Sequence, residues 1–321
     1  MKIRPLRPRP DRGDVPLRKK RRLKYIAVLP SFITLMNGAC GFIAIVFASR
    51  GPAISWNLFF MRRAVATSFT VAGFMVFLAM VADVLDGRVA RLTRTTSSFG
   101  GQLDSLSDAI SFGVAPAFIM IKLAELHLQN LRLAPSFFTV FLGRGIIFAA
   151  IIYAMCAVVR LARFNVENEE DESAHMSFSG LPSPAAAGVV VSLVVFHQQL
   201  LPRFAGSAAE SFRIFEIITA CALPVITLLT GILMVTRIRY PHAANRLLRS
   251  KKTLASLLLI FASAILIVWN IQLAMVVGFC GFALVGFIRW LFVSLFRKGA
   301  GASKKAPPQE NPEQPQPPVG Q

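Results

Sequence analysis

An all-α fold is predicted for this chain: a polytopic membrane helix bundle of about eight transmembrane helices. Hydrophobic residues make up 55% of its 321 positions and charged residues only 16%, with a mean hydropathy of +0.58. Apolar runs close to the ~20 residues that cross a bilayer recur along the whole length. Lys and Arg outnumber Asp and Glu by 35 to 16, and they fall outside and between those runs. In a soluble chain that excess would point to nucleic acid; here it sets orientation and favours anionic lipid, and no nucleic acid partner is expected.

Residues 1–26 predict a disordered basic arm, with Arg4, Arg7, Arg9 and Arg12 broken by prolines ahead of Arg18-Lys19-Lys20-Arg21-Arg22. The first apolar run, 27–49, is long enough to span, and no small-residue cleavage site closes it, so a retained helix is expected. Further spans are expected at 64–85, 104–124, 138–160, 181–199, 214–235, 254–270 and 272–296. An even count returns the carboxyl end to the amino-terminal side. The arm, the 86–103 and 236–252 loops and Arg297-Lys298 then share one face, as the positive-inside rule requires of the cytoplasmic side. Residues 299–321, rich in Gly, Ala, Lys, Pro and Gln, predict a disordered tail after a single membrane domain over 27–298. Cys40, Cys156, Cys221 and Cys280 stand singly in apolar runs and read as small buried hydrophobes. The four histidines share no ligand-like spacing, which predicts surface or interfacial roles and no zinc site.

Four of the sixteen acids cluster between the second and third spans. Asp83 and Asp86 are three residues apart and Asp104 and Asp108 four, so each pair shares a helical face, and two helix ends can aim four carboxylates at one point. Crowded like charges at a membrane boundary call for a cation. Carboxylate oxygens without His or Cys suit Mg2+ or Mn2+, with Ca2+ also compatible, and two such ions could clamp a pyrophosphate for in-line displacement at phosphorus. Gly87, Ala90 and Gly100 leave room for a nucleotide, and Arg91 offers charge to a phosphate. A cation-coupled transporter is the rival of another class, although no repeats or matched broken helices support it.

Asp83, Asp86, Gly87, Ala90, Arg91, Gly100, Asp104 and Asp108 match without a gap or substitution the motif of the CDP-alcohol phosphotransferases, and the chain resembles that family over about residues 28–296. The resemblance implies transfer of a phosphatidyl or related group from a CDP-linked lipid such as CDP-diacylglycerol to an alcohol, with release of CMP. It implies Asp83, Asp86 and Asp104 as metal ligands, Asp108 as the general base and further metal contact, and a homodimer. Asn37 then lines the CDP cavity, where the residues alone equally allow an interhelical hydrogen bond.

Further stretches resemble the integral membrane branch whose acceptor is L-serine: Asn37-Gly38-Ala39-Cys40-Gly41-Phe42, Asp104 to Pro116, Arg160 to Asn165, Gly180 to Ala187, and Ile238-Arg239-Tyr240-Pro241. Choline, glycerol 3-phosphate and an inositol phosphate are the alternative acceptors. Arg160 and Arg163, one turn apart, could hold a serine carboxylate or a lipid phosphate, or serve as positive anchors. Asn165 could bond the amino acid or cap a turn. The resemblance and the charge bias together imply a bacterial-type inner membrane with the site and both termini cytoplasmic.

Overall fold

The computed structural model describes residues 17–51, 67–93, 98–130, 137–170, 180–204, 209–236, 238 and 270–297. No strand occurs among them. The helices are α1 (Leu17–Ser49), α2 (Ser68–Thr93), α3 (Ser98–Asp108), α4 (Ala115–Asn130), α5 (Phe137–Glu170), α6 (Ser183–Phe204), α7 (Ala209–Val235) and α8 (Ile271–Arg297). A π-helical turn over Ala109–Val114 joins α3 to α4 without a break. Six stretches are long and apolar enough to cross a membrane: Ser31–Ser49, Ser68–Val89, Phe99–Asn130, Thr139–Val166, Ile214–Val235 and Ile271–Phe292. Each coincides with an expected span. The expected span at 181–199 is α6, whose apolar part, Ser183–Gln198, is shorter; the one at 254–270 lies outside the described residues. The protein is an integral membrane protein with a polytopic helical bundle.

Helix ends run past the apolar limits. α1 begins at Leu17, ten residues before the expected 27, so the last ten residues of the basic arm are helical. Residues 17–29 contain neither Pro nor Gly and are rich in Leu, Lys and Arg, all good helix formers that need no lipid to stay helical. α2 likewise continues to Thr93 and α3 starts at Ser98, through Gly87, Gly100 and Gly101, which puts all four site aspartates inside helices. α5 runs through Glu170, so Arg160, Arg163 and Asn165 are helical too.

Small residues let the helices approach. α1 and α2 pack together, and both bury small or β-branched residues, Ala44 and Ala48 on α1 and Ala72, Val76 and Ala79 on α2. On α1, a Cβ placed on Gly38 would lie 3.2 Å from Ser107 Oγ, and one on Gly41 would lie 2.7 Å from Ser111 Cα. α1 is therefore pressed against α3 and the π turn. That turn widens the helix and frees carbonyls from the usual ladder. The buried Tyr153 hydroxyl of α5 donates to Phe112 O at 2.9 Å, and Ser111 Oγ donates to Asn37 O at 2.9 Å. Tyr153→Phe should cost about 1 kcal/mol or somewhat more, because it leaves a buried carbonyl unpaired. A thermal melt in detergent should show the midpoint lowered by about 2–4 °C per kcal/mol lost.

Gly180 ties the entry of α6 to the end of α7. Its φ is +93°, its N–H donates to Ile238 O at 2.8 Å, and Leu181 N–H donates to Leu233 O at 3.0 Å. A side chain there would be strained and would also meet Met234 O.

Two sequence expectations change. Cys40 is buried, but Cys156 and Cys280 are half-buried and Cys221 is exposed on the outer face of the bundle. His127 and His197, expected at a surface or interface, are buried. Both correct for the same reason: periodicity within one segment does not reveal which neighbour covers each face.

Candidate active site

The C-terminal turns of α2 and the middle and end of α3, where it runs into the π turn, bring the aspartates together. One carboxylate oxygen each from Asp83, Asp104 and Asp108 lies within 4.8 Å of the other two. At such separations each pair of ionised carboxylates repels by about 3–4 kcal/mol, even at an effective dielectric of about 20. A bound cation removes that cost.

Asp86 stands beside this trio, within Coulombic reach of Asp83 and Asp104. It is 7% exposed. The buried Thr34 hydroxyl of α1 donates to its Oδ2, while its Oδ1 is buried with no protein hydrogen-bond partner. An orphaned carboxylate oxygen next to three more carboxylates fits a hard divalent ion, and the donors are all oxygen. The residues present therefore suit Mg2+ or Mn2+.

Asp108, 8% exposed, is oriented from α1: Asn37 Nδ2 donates to its Oδ1 at 2.8 Å. Asn37 is fully buried, and its own Oδ1 has no hydrogen-bond partner. The π turn begins directly after Asp108. Through Ser111 it holds the Asn37 backbone, while Asn37 holds Asp108 by its side chain, so α1 and α3 are locked at two atoms of one residue.

α5 and α6 supply the cationic side. Arg160 lies within Coulombic reach of Asp108. Its Nη1 donates to the buried Ser183 Oγ at 2.9 Å, and its Nε is buried without a partner. Arg163 is half-buried on the next turn. Asn165 reaches α3: its Nδ2 donates to Ser105 Oγ at 2.8 Å, and Ser105 Oγ lies 3.1 Å from Gly101 O. Asn165 is thus held one residue from Asp104.

Gly87 is exposed, and a Cβ there would meet nothing within 4 Å, so the space beside the acids is open. Gly100 is half-buried at the start of α3. Ala90 and Arg91 lie on the last turns of α2, with their side chains outside the described residues. Sequence reasoning missed Thr34, Ser105 and Ser183 as partners. Thr34 carried a signal, a polar residue one turn before Asn37 in an apolar run; the contacts of Ser105 and Ser183 are with residues distant in sequence and carried none.

A helical membrane bundle that gathers carboxylates, an amide and a guanidinium at one end of its helices is built to neutralise and hold phosphate charge at the edge of lipid. Residues 27–228 match the CDP-alcohol phosphatidyltransferase family, and the chain belongs to it. It is an enzyme of that class. It is similar to a CDP-diacylglycerol–serine O-phosphatidyltransferase of Helicobacter pylori, 34% identical over 237 residues, 73% of this chain and 86% of the relative. A protein of the same name from Methanocaldococcus jannaschii is 30% identical over 225 residues, 70% of this chain and 79% of the relative. One from Saccharomyces cerevisiae is 34% identical over 170 residues, 51% of this chain and 52% of the relative.

Proposed function

We propose that this enzyme transfers the phosphatidyl group of CDP-diacylglycerol to the hydroxyl of L-serine, giving phosphatidylserine and CMP. The observation that carries the reading is Asp108. It is fixed by Asn37, grouped with Asp83 and Asp104, and faced by Arg160, which Ser183 holds in turn. The serine assignment is supported by the names of the relatives and by the Arg160 to Asn165 segment.

Asp83, Asp86, Asp104 and Asp108 would hold Mg2+ or Mn2+, in a two-ion site, which when bound neutralises the pyrophosphate and polarises the reacting phosphorus. The nucleotide takes the open side of α2 and α3 along Gly87, Ala90 and Gly100, with Arg91 for a phosphate and Asn37 facing the cavity. Asp108 accepts the proton of the serine hydroxyl as that oxygen attacks the lipid-side phosphorus. The bond from this phosphorus to the bridging oxygen breaks, and CMP leaves with the electron pair. Arg160 and Arg163 receive the serine carboxylate, and Asn165 borders the same space. The acyl chains remain in lipid. The reaction is at the cytoplasmic face of a bacterial-type inner membrane, with both termini on that side, the basic arm on anionic lipid and the chain in a homodimer.

The purified protein in detergent with Mg2+ and CDP-diacylglycerol is expected to release CMP with serine and not with choline, glycerol 3-phosphate or an inositol phosphate. The lipid product should carry serine. Release with another alcohol would keep the aspartate chemistry and overturn the acceptor. No release with any alcohol, together with cation flux in liposomes lacking nucleotide, would favour a transporter.

A further inference from the structure

A second polar cluster lies at the other end of the bundle, where α4, α6 and α7 meet the start of α2. His127 is 1% exposed, His197 4% and Glu216 5%. His127 Nδ1 stands 3.4 Å from Glu216 Oε1, and Asn130 Nδ2 donates to the same oxygen at 3.1 Å. The two imidazoles meet edge to face with centroids 4.7 Å apart, and His197 stacks on Phe215 at 4.9 Å. The amide of Gln198 lies 3.3 Å from His197 Nδ1 and is itself bonded by the Thr67 hydroxyl at 2.8 Å. Nε2 of His127 and Nε2 of His197 are buried without a hydrogen-bond partner, while Nδ1 of His127 has the Glu216 carboxylate as its ion-pair partner. Unpartnered imidazole nitrogens beside a buried carboxylate are costly at membrane depth. Phosphatidyl transfer at the aspartates makes no use of them.

We propose that His127, His197 and Glu216 form a second cation site, separate from the aspartates, for a late first-row divalent metal such as Zn2+. Two imidazoles and a carboxylate are a donor set for such ions, whereas Mg2+ and Ca2+ favour oxygen alone. The 3.4 Å between Nδ1 and Oε1 is the edge of a tetrahedron whose arms are about 2.0–2.2 Å. Among the described residues only the aspartate trio already has three ligand atoms within 4.8 Å of one another. At the second site His127 and Glu216 stand at ligand spacing, and His197 joins by turning its ring about the side-chain torsions. Its Nε2 then needs a free lone pair, so Nδ1 must carry the proton. Turning the Gln198 amide over presents its oxygen to that proton, and the Thr67 hydroxyl, able to accept as well as donate, satisfies the exchanged amide. Asn130 holds the carboxylate from behind, as an outer partner of a metal ligand does. It is exposed at the end of α4, which gives an ion a way in.

The test uses the full chain in detergent, stripped with a chelator and supplied with excess Mg2+ to fill the aspartates, then equilibrated with Zn2+ or Co2+. Wild type is expected to retain about one Zn2+ per chain, and Co2+ should give the strong visible absorption of a four-coordinate site with imidazole ligands. His197→Ala and Glu216→Gln should lose the ion. Asp104→Asn should keep it, and so should a variant carrying His175→Ala and His242→Ala. No retained Zn2+ in wild type overturns the proposal. So does retention in His197→Ala, or loss in Asp104→Asn or in the double variant. If His197→Ala does not fold, the wild-type Co2+ spectrum decides, since an all-oxygen six-coordinate site absorbs only weakly.

Discussion

Asp108→Asn is expected to lower CMP release by about 10²- to 10⁴-fold, the range that a positioned general base contributes, while CDP-diacylglycerol still binds. The substitution keeps the size of the side chain and keeps an oxygen to accept from Asn37 Nδ2, now at 2.8 Å. It removes one negative charge from a group in which Asp83 and Asp104 remain, so the carboxylates proposed to hold the metal are reduced rather than abolished. What disappears is the group proposed to take the acceptor's proton. The loss should therefore fall on kcat, with binding of the CDP-lipid, measured by titration calorimetry, changed little. A variant that turns over at near wild-type rate would remove Asp108 from the role of base. One that loses CDP-lipid binding in step with turnover would make it chiefly a metal ligand.

Gly41→Ala, on a helix that contributes no carboxylate, should be nearly as damaging. Its Cβ would lie 2.6 Å from Ser111 Oγ, 2.7 Å from Ser111 Cα and 3.0 Å from Ser111 N. A hydroxyl can rotate away, giving up its bond to Asn37 O, but the backbone of the π turn cannot, since the Tyr153 hydroxyl holds Phe112 O. α1 must retreat by about 1 Å to reach ordinary contact distance. One turn away on α1 is Asn37, and a second turn away is Thr34. The retreat loosens their bonds to Asp108 and Asp86 together. A displacement of that size at a reacting group costs about 10²-fold in rate, and overpacking costs about 1–3 kcal/mol in stability. Gly281→Ala is the control, because a Cβ there meets nothing within 4 Å; it should match wild type in rate and thermal midpoint. Full activity in Gly41→Ala would mean that contact between α1 and the π turn does not position Asp108.

Much of this was legible in the residues. The spacing of Asp83 to Asp86 and of Asp104 to Asp108 announces shared helical faces, because 3.6 residues make a turn whatever surrounds the helix. The apolar runs announce spans, because lipid accepts only backbones that satisfy their own hydrogen bonds. The ends of helices were less legible: apolarity stops near the membrane boundary, while propensity carries α1 and α5 beyond it, and α2 and α3 continue even through Gly87, Gly100 and Gly101. The π turn carried no signal of its own, since Tyr153 from α5 and Asn37 from α1 provide its partners.

Composition and spacing along the chain are enough to make this a helical membrane protein, with acids, an amide and arginines available at one set of helix ends. Local periodicity and composition suffice for that, because each follows from the chain's immediate neighbours. It takes the packed bundle to show that Asp86 is bonded by Thr34, that Arg160 leans on Ser183, that Asn165 is held by Ser105, and that His127 meets His197 and Glu216. Those pairings join residues far apart in the chain. They depend on which helix faces which and how closely small residues let them pack, and no single helix encodes that.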